Sequence, residues 1–323
     1  MIRKSAYLQV TRECNNECIF CSNPQFSKEY SFDEAKSAVI GFKKEGINEL
    51  ILTGGEPTEV NFLPELVDFI KANNMSVKVV SNSVNFCKGD LVESLYKSGL
   101  RSVYLSVHSV DEKTAERLSQ KKGNLKKSLK GIENLIKCGI KINLNSTINS
   151  LNCNHLYKNA EFFIKKFPQI NHFVYNNLDP GTADGYTKTR AAENPWIVAR
   201  FVDYELELQR TANLLKKNNK TFRIERVPLC YMNGFEEFST ETRKIVKSEQ
   251  YICSFITKQK QNEIRRVRPK EMRAKVECCN FCKLNPICAG IQKEYLNING
   301  DREFYPVFKN PLTIIKKIKI HQT

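Results

Sequence analysis

Through its first 178 residues the chain alternates two hydrophobic rhythms. One is short and extended: Ala6-Tyr7-Leu8-Gln9-Val10, Glu49-Leu50-Ile51-Leu52-Thr53, Ser76-Val77-Lys78-Val79-Val80, Val103-Tyr104-Leu105-Ser106-Val107, Lys141-Ile142-Asn143-Leu144-Asn145 and His172-Phe173-Val174-Tyr175. Runs of this length, rich in β-branched residues and punctuated by polar ones, predict strands. The other rhythm places apolar residues three and four apart and predicts helices. Ser31 with Glu34 three residues on forms a capping box, opening a helix to about Lys44 with Ala35, Val39 and Phe42 on its apolar face. Further helices are predicted from about Pro64 to Ala72, up to a stop at Gly99, from a cap at Asn124 to Cys138 before Gly139, and from Asn152 or Asn154 onward. Six such units with crossover helices predict a parallel sheet. Crossovers of one hand curl it, and since a closed barrel needs eight units, six predict an α/β fold of the partial (β/α)6, TIM-like type.

After residue 178 the rhythm breaks. Asp179-Pro180-Gly181 marks a loop, a long helix is predicted over Trp196 to Lys217, and Phe222 to Val227 reads as a seventh strand at the sheet edge. Residues 228–300 carry a small cysteine-rich extension. The tail, Ile314-Ile315-Lys316-Lys317-Ile318-Lys319-Ile320, reads as a docked terminal strand or helix rather than a membrane anchor. The division expected is a barrel core at 1–178, a connecting loop, helix and edge strand at 179–227, the cysteine-rich segment at 228–300 and a basic tail at 301–323. No run approaches the roughly 20 apolar residues of a membrane span, and no signal-peptide core precedes the first strand. A cytoplasmic protein is expected.

Composition sharpens this in two respects. The net charge is +16, but 36 of the 51 cationic residues are lysine and no nucleic-acid module accompanies them, so nucleic acid is not the expected partner. The 12 cysteines are the larger signal. In a reducing compartment they are not disulfides. Cys14, Cys18 and Cys21 sit together near the start, and Cys230, Cys253, Cys278, Cys279, Cys282 and Cys288 crowd the last third. Cys87, Cys138 and Cys153 are scattered through the scaffold and read as ordinary buried thiols. Clusters at both ends of an α/β chain read as metal sites.

Cys14-Asn15-Asn16-Glu17-Cys18-Ile19-Phe20-Cys21 is a C-x3-C-x2-C triplet directly after the first strand, where barrel loops form the active face. Three thiolates within eight residues can hold an iron–sulfur cubane and leave one iron open for chemistry. A zinc site with a distant fourth ligand is the competing reading. Thr53-Gly54-Gly55-Glu56-Pro57 follows the second strand: the glycines permit close backbone approach, and the carboxylate can receive an ammonium group.

With these two motifs one βα unit apart, the chain resembles the radical S-adenosylmethionine (radical SAM) superfamily over about residues 4–178. The resemblance implies a [4Fe–4S] cluster on Cys14, Cys18 and Cys21 whose open iron binds the methionine moiety of S-adenosylmethionine. It implies adenine contact for Phe20 and an ammonium pocket at Gly54, Gly55, Glu56 and Pro57. Ser81-Asn82-Ser83, Ser106 and Asn145 fall where relatives contact the cofactor, so Asn82, Ser106 and Asn145 join the binding set. His108 stands where relatives carry an acid, and reads either as a substrate contact or as a histidine satisfied within the barrel.

Cys279-Asn280-Phe281-Cys282 followed by Cys288, with Cys230 and Cys253 upstream, resembles the SPASM and twitch extensions of the same superfamily. Position 292, where a SPASM domain has another cysteine, is Gln292. Six cysteines cannot fully ligate two clusters, so one auxiliary [4Fe–4S] cluster is expected. Its ligands are to be drawn from Cys230, Cys253, Cys279, Cys282 and Cys288, with Cys278 spare and structural zinc as the alternative. The resemblance implies reductive cleavage of S-adenosylmethionine and hydrogen abstraction from a peptide or protein, with a flavodoxin- or ferredoxin-like electron donor. A small-molecule dehydrogenase or cyclase of twitch type, RNA modification, and a non-enzymatic Fe–S or zinc scaffold are the alternatives carried forward.

Overall fold

The computed structural model describes residues 5–24, 29–181, 189–249 and 273–320, together with the backbone of strands at 251–255 and 263–267. Seven strands, β1 (Ser5–Thr11), β2 (Glu49–Gly54), β3 (Ser76–Ser81), β4 (Ser102–Ser106), β5 (Lys141–Ile148), β6 (His172–Asn177) and β7 (Thr221–Glu225), lie in sequence order, each parallel to the next. The crossovers carry α1 (Phe32–Lys44), α2 (Leu63–Ala72), α3 (Gly89–Lys97), α4 (Glu112–Ser119), α5 (Asn124–Lys137), α6 (Leu156–Lys166), α7 (Arg190–Glu193) and α8 (Phe201–Lys217). The capping box forms as the sequence predicts. Glu34 N–H donates to Ser31 Oγ, and Ser31 N–H donates to the Glu34 carboxylate at 2.7 Å.

Three local readings change. Helix α4 was not anticipated, because only Leu118 on it is buried; the Asp111 side chain caps it by accepting from Thr114 N–H at 2.9 Å. Gly123, at φ +70, caps α5, and Asn124 is its first helical residue. Helix α8 starts at Phe201, because Pro195–Ile197 is a separate short turn.

The strands have two unlike faces. On β5, Ile142, Leu144 and Ile148 are buried, while Asn143, Asn145 and Thr147 alternate with them and are half-exposed. Ala6, Leu8 and Val10 on β1, Leu50 and Leu52 on β2, and Val103 and Leu105 on β4 are fully buried and belong to the main core. Burying one such Leu or Val contributes roughly 1.5–3 kcal/mol. The opposite face carries Tyr7, Lys78, Tyr104, Asn145 and Arg223, too polar for a packed barrel interior, and so leaves room for ligand chemistry.

Beyond β1 the sheet continues with β8 (Tyr251–Phe255), parallel to β1, and β9 (Glu263–Val267), antiparallel to β8. The segment expected to be a cysteine-rich unit over 228–300 is thus interrupted by two strands of the main sheet. Cys253 lies on β8 opposite Tyr7 of β1, and its side chain is outside the described residues. The rest of the C-terminal third comprises α9 (Thr240–Lys247), a two-strand ladder of β10 (Arg273–Ala274) and β11 (Ile291–Gln292), α10 (Lys293–Asn299) and α11 (Pro311–Ile320). The tail is a docked helix, with Ile314 and Ile318 buried. Among the described residues no helix is long and apolar enough to cross a membrane.

Candidate metal and cofactor centres

The loop carrying Cys14, Cys18 and Cys21 is held from three sides. Glu17 N–H and Ile19 N–H donate to the Ser119 and Leu118 carbonyls at the end of α4, at 2.9 and 3.0 Å. The Arg190 guanidinium donates to the Glu17 carbonyl, and Arg190 N–H donates to the Cys21 carbonyl. The third side is the Gly54-Gly55 turn after β2. Gly55 N–H donates to the Thr11 carbonyl at 2.8 Å and Glu56 N–H to the Glu13 carbonyl at 2.7 Å. A Cβ at Gly54 would lie 2.1 Å from the Thr11 oxygen, and one at Gly55 would lie 2.0 Å from that of Glu13. Gly54 also sits at φ +141, in the region glycine favours. Both glycines are therefore required by the close approach of the cysteine loop itself, a contact the sequence did not reveal.

Glu56 is buried and ties the next strand into this assembly. One carboxylate oxygen accepts from Thr58 N–H and Thr58 Oγ1–H at 3.1 and 2.7 Å; the other accepts from Asn82 N–H at 2.7 Å. Burial raises its pKa, opposed by these hydrogen bonds. Asn82 in turn donates from Nδ2 to Asn15 Oδ1 at 2.6 Å and toward Cys14 Sγ at 3.7 Å. Burial pushes the Cys14 thiol up to about 12, with Glu56 and Cys21 nearby adding to the rise. Burial likewise raises Cys18, helped by Cys21 and Cys14, and raises Cys21. The three thiols thus share one half-buried neighbourhood in which bare thiolates would repel. A cationic metal centre offsets both costs and keeps the sulfurs ionised. The donor set fits a cysteine-held iron–sulfur cluster.

Phe20, between the second and third cysteines, is buried and meets His108 edge-on at 4.9 Å between ring centroids. His108 Nδ1 accepts from Thr147 N–H at 3.0 Å, and burial lowers its pKa to about 4. The ring is neutral at pH 7 with its proton on Nε2. Its Nδ1 is thus taken up within the barrel, and its ring braces Phe20. Ser106, the last residue of β4, is the register partner of Asn145 within β5. Asn145 accepts from Asn176 Nδ2, and Asn176 Oδ1 accepts from Arg226 Nη1 at 3.3 Å. Arg226, at φ +62 just after β7, also faces Asp179 at 3.7 Å, and its own N–H donates to Glu241 at 3.0 Å. Asn176, Arg226 and Asp179 extend the polar mouth. The sequence read Asp179 as loop and Arg226 as part of the seventh strand, and offered nothing to link either to Asn145.

A second centre forms where Cys230, Cys278, Cys279, Cys282 and Cys288 line one cavity with Lys275, Asn285, Gly290 and Tyr305. The empty space between these side chains is about 360 Å³, open solvent at its entrance included. Cys230 arrives from a short turn immediately after β7, the other four from the 277–288 loop. Burial raises the Cys230 thiol, and Cys288 and Cys279 raise it further, so these groups feel one another directly. Val307 N–H and Gly290 N–H donate to the sulfurs of Cys282 and Cys288, each at 3.4 Å. Of the five candidates for the auxiliary ligands, Cys230, Cys279, Cys282 and Cys288 are thus brought together, whereas the backbone carries Cys253 to β8, beside β1. Four thiols satisfy the ligand count of one [4Fe–4S] cluster. Among the described residues no three Cys, His, Asp or Glu side chains are gathered as tightly as a single metal ion needs. The first grouping therefore rests on ligand spacing, partial burial and mutual charge, and the second on a shared cavity and mutual charge.

Comparison with known proteins identifies the family and the fold. The model of the Radical SAM superfamily matches residues 8–152. GTP 3',8-cyclase of Campylobacter jejuni (strain RM1221) is 30% identical over 230 residues, 68% of this chain and 68% of its own length. GTP 3',8-cyclase of Helicobacter pylori is 29% identical over 175 residues, 52% of this chain, so the match spans about half (54%) of that relative. Among solved structures, SuiB of Streptococcus suis bound to S-adenosylmethionine superposes with a TM-score of 0.64 at 16% identity, covering 95% of this chain and 76% of SuiB. Native anSMEcpe with bound AdoMet and Cp18Cys peptide gives 0.62 at 14%, covering 98% and 95%. On the motifs, the seven-stranded parallel sheet and these relatives together, the chain belongs to the radical SAM superfamily.

Proposed function

We propose that the chain is a two-centre radical SAM enzyme that modifies a peptide or protein. The observation that carries this reading is the second cavity of Cys230, Cys279, Cys282 and Cys288 beside the barrel. It accompanies a fold shared over nearly the whole chain with SuiB, also solved bound to precursor peptide SuiA, and with peptide-bound anSMEcpe. Cys14, Cys18 and Cys21 would hold the catalytic [4Fe–4S] cluster. Gly54, Gly55, Glu56 and Pro57, with Asn82, Phe20, Ser106 and Asn145, would seat S-adenosylmethionine. With one electron from an external donor, the pair would supply reductive cleavage of S-adenosylmethionine to methionine and a 5′-deoxyadenosyl radical able to take a hydrogen atom from the substrate. The chain's own part is positional: Glu56 offers a buried carboxylate to an ammonium group, Phe20 a flat apolar face, and the Asn145–Asn176–Arg226 chain a polar mouth. An acidic one-electron donor of the flavodoxin or ferredoxin class suits the net charge of +16, and free thiols suit the reducing cytoplasm.

A nucleotide or related small molecule is the second reading, favoured by the 30% identity to GTP 3',8-cyclase and by Arg226 at the mouth. One experiment separates them. The reconstituted chain is incubated anaerobically with reductant, S-adenosylmethionine, and either short peptides encoded beside its gene or GTP. A peptide mass change matched by 5′-deoxyadenosine supports the first reading, and GTP turnover supports the second. Absence of 5′-deoxyadenosine under every condition refutes both.

A further inference from the structure

Lys275 is a lysine of the second cavity for which a two-centre radical SAM reading provides no role. It follows β10 directly, and the β10–β11 ladder pairs Ala274 with Ile291 and so fixes its register. Its ammonium donates to the Cys288 carbonyl at 2.9 Å and to the Asn285 carbonyl at 3.2 Å, and the residue lines the cavity with the five cysteines. Gly290, at φ +94, lets this strand pass: a Cβ there would lie 2.4 Å from the Ala274 oxygen and 3.4 Å from Lys275 Cδ. Chain direction, glycine and two carbonyls all aim one positive charge at the cysteine loop.

We propose that Lys275 is a positioning residue that sets the reduction potential of the auxiliary centre. The inference rests on the reading that Cys230, Cys279, Cys282 and Cys288 hold a [4Fe–4S] cluster. One-electron reduction adds a negative charge to such a cluster, and its potential follows net charge and hydrogen bonding at the sulfurs. An ammonium held against two carbonyls of the ligand loop favours the reduced form and raises the potential. Gly290 N–H and Val307 N–H, already directed at two of the sulfurs, act in the same direction. A centre tuned upward is suited to receiving an electron during turnover.

The test is an EPR-monitored redox titration of the reconstituted full chain, with iron counted in each sample. Lys275→Gln keeps a donor for the two carbonyls and removes the charge; Lys275→Arg keeps both. With iron content unchanged, the Gln variant should shift the reduction equilibrium about tenfold toward the oxidised form, ~59 mV for one electron. The Arg variant should stay near wild type. A Gln variant with full iron and an unchanged potential overturns the proposal. So does one that loses the auxiliary iron, since the lysine would then be holding the loop rather than tuning it. A wild-type chain with only one cluster's iron would instead refute the underlying two-centre reading.

Discussion

Replacing Gly55 with alanine tests the central packing idea, that the turn after β2 and the cysteine loop are pressed together backbone to backbone. The added Cβ would lie 2.0 Å from the Glu13 oxygen, where ordinary contact begins near 3.4 Å, and the obstruction is main chain that no rotamer can relieve. The loop must retreat by more than an ångström. That retreat breaks or stretches the Gly55 N–H bond to Thr11 and the Glu56 N–H bond to Glu13. Overpacking of this kind costs roughly 1–3 kcal/mol, and each lost hydrogen bond adds about 1 kcal/mol. The metal-free, reduced chain should therefore lose about 3–5 kcal/mol in urea unfolding. Because Cys14 follows Glu13 directly, iron bound at the first centre should fall as well. Gly41 on α1 is the control. A Cβ there meets nothing within 4 Å, so Gly41→Ala should gain roughly 0.5–1 kcal/mol from helix propensity. A Gly55→Ala chain with wild-type stability and full iron would refute the reasoning.

The remaining predictions are read more quickly. Wild type should hold about eight irons per chain, and Cys230→Ser or a Cys279→Ala/Cys282→Ala double variant should hold about four. Cys253→Ser should keep eight, so a loss there would return Cys253 to the ligand set. Glu56→Gln keeps an acceptor for Thr58 but removes the charge, and should weaken S-adenosylmethionine binding by calorimetry about tenfold or more, a charged bond contributing ~1.5–3 kcal/mol; unchanged affinity would reduce Glu56 to a turn-former. His108 has a folded pKa of about 4, lowered from 6.5 by burial, so the folded chain binds fewer protons than the unfolded one between those values. Its contribution is complete above 6.5 and is lost as pH falls toward 4, about 2 kcal/mol between pH 7 and pH 5. Denaturant unfolding at the two pH values should show that loss in wild type and a smaller one in His108→Asn.

How much of this was written in the sequence follows from which interactions are local. Hydrophobic period, capping and glycine stops are nearest-neighbour properties, and they predicted the alternating units, the Ser31–Glu34 box and the docked tail. Ligand spacing is equally local, so Cys14, Cys18 and Cys21, and likewise Cys279, Cys282 and Cys288, were legible as sets. Helix α4 was missed for the same reason: it buries only Leu118 and carries almost no periodic signal. What the sequence could not decide depends on where distant segments return. Cys230 and Cys253 looked equivalent, each a lone thiol upstream of a cluster. Sheet pairing separates them, leaving Cys230 beside the 277–288 loop and drawing Cys253 onto β8 next to β1. The glycines after β2 looked like ligand-facing glycines, yet the atoms they make room for belong to residues 11–13, about forty positions earlier. Asn145, Asn176 and Arg226 become one polar chain only because β5, β6 and β7 are adjacent parallel strands whose ends fall at the same level. Local patterning selects the elements and the donor atoms. Only the closing of the sheet, which sets long-range neighbours that no single stretch of sequence encodes, decides which donors face a common cavity.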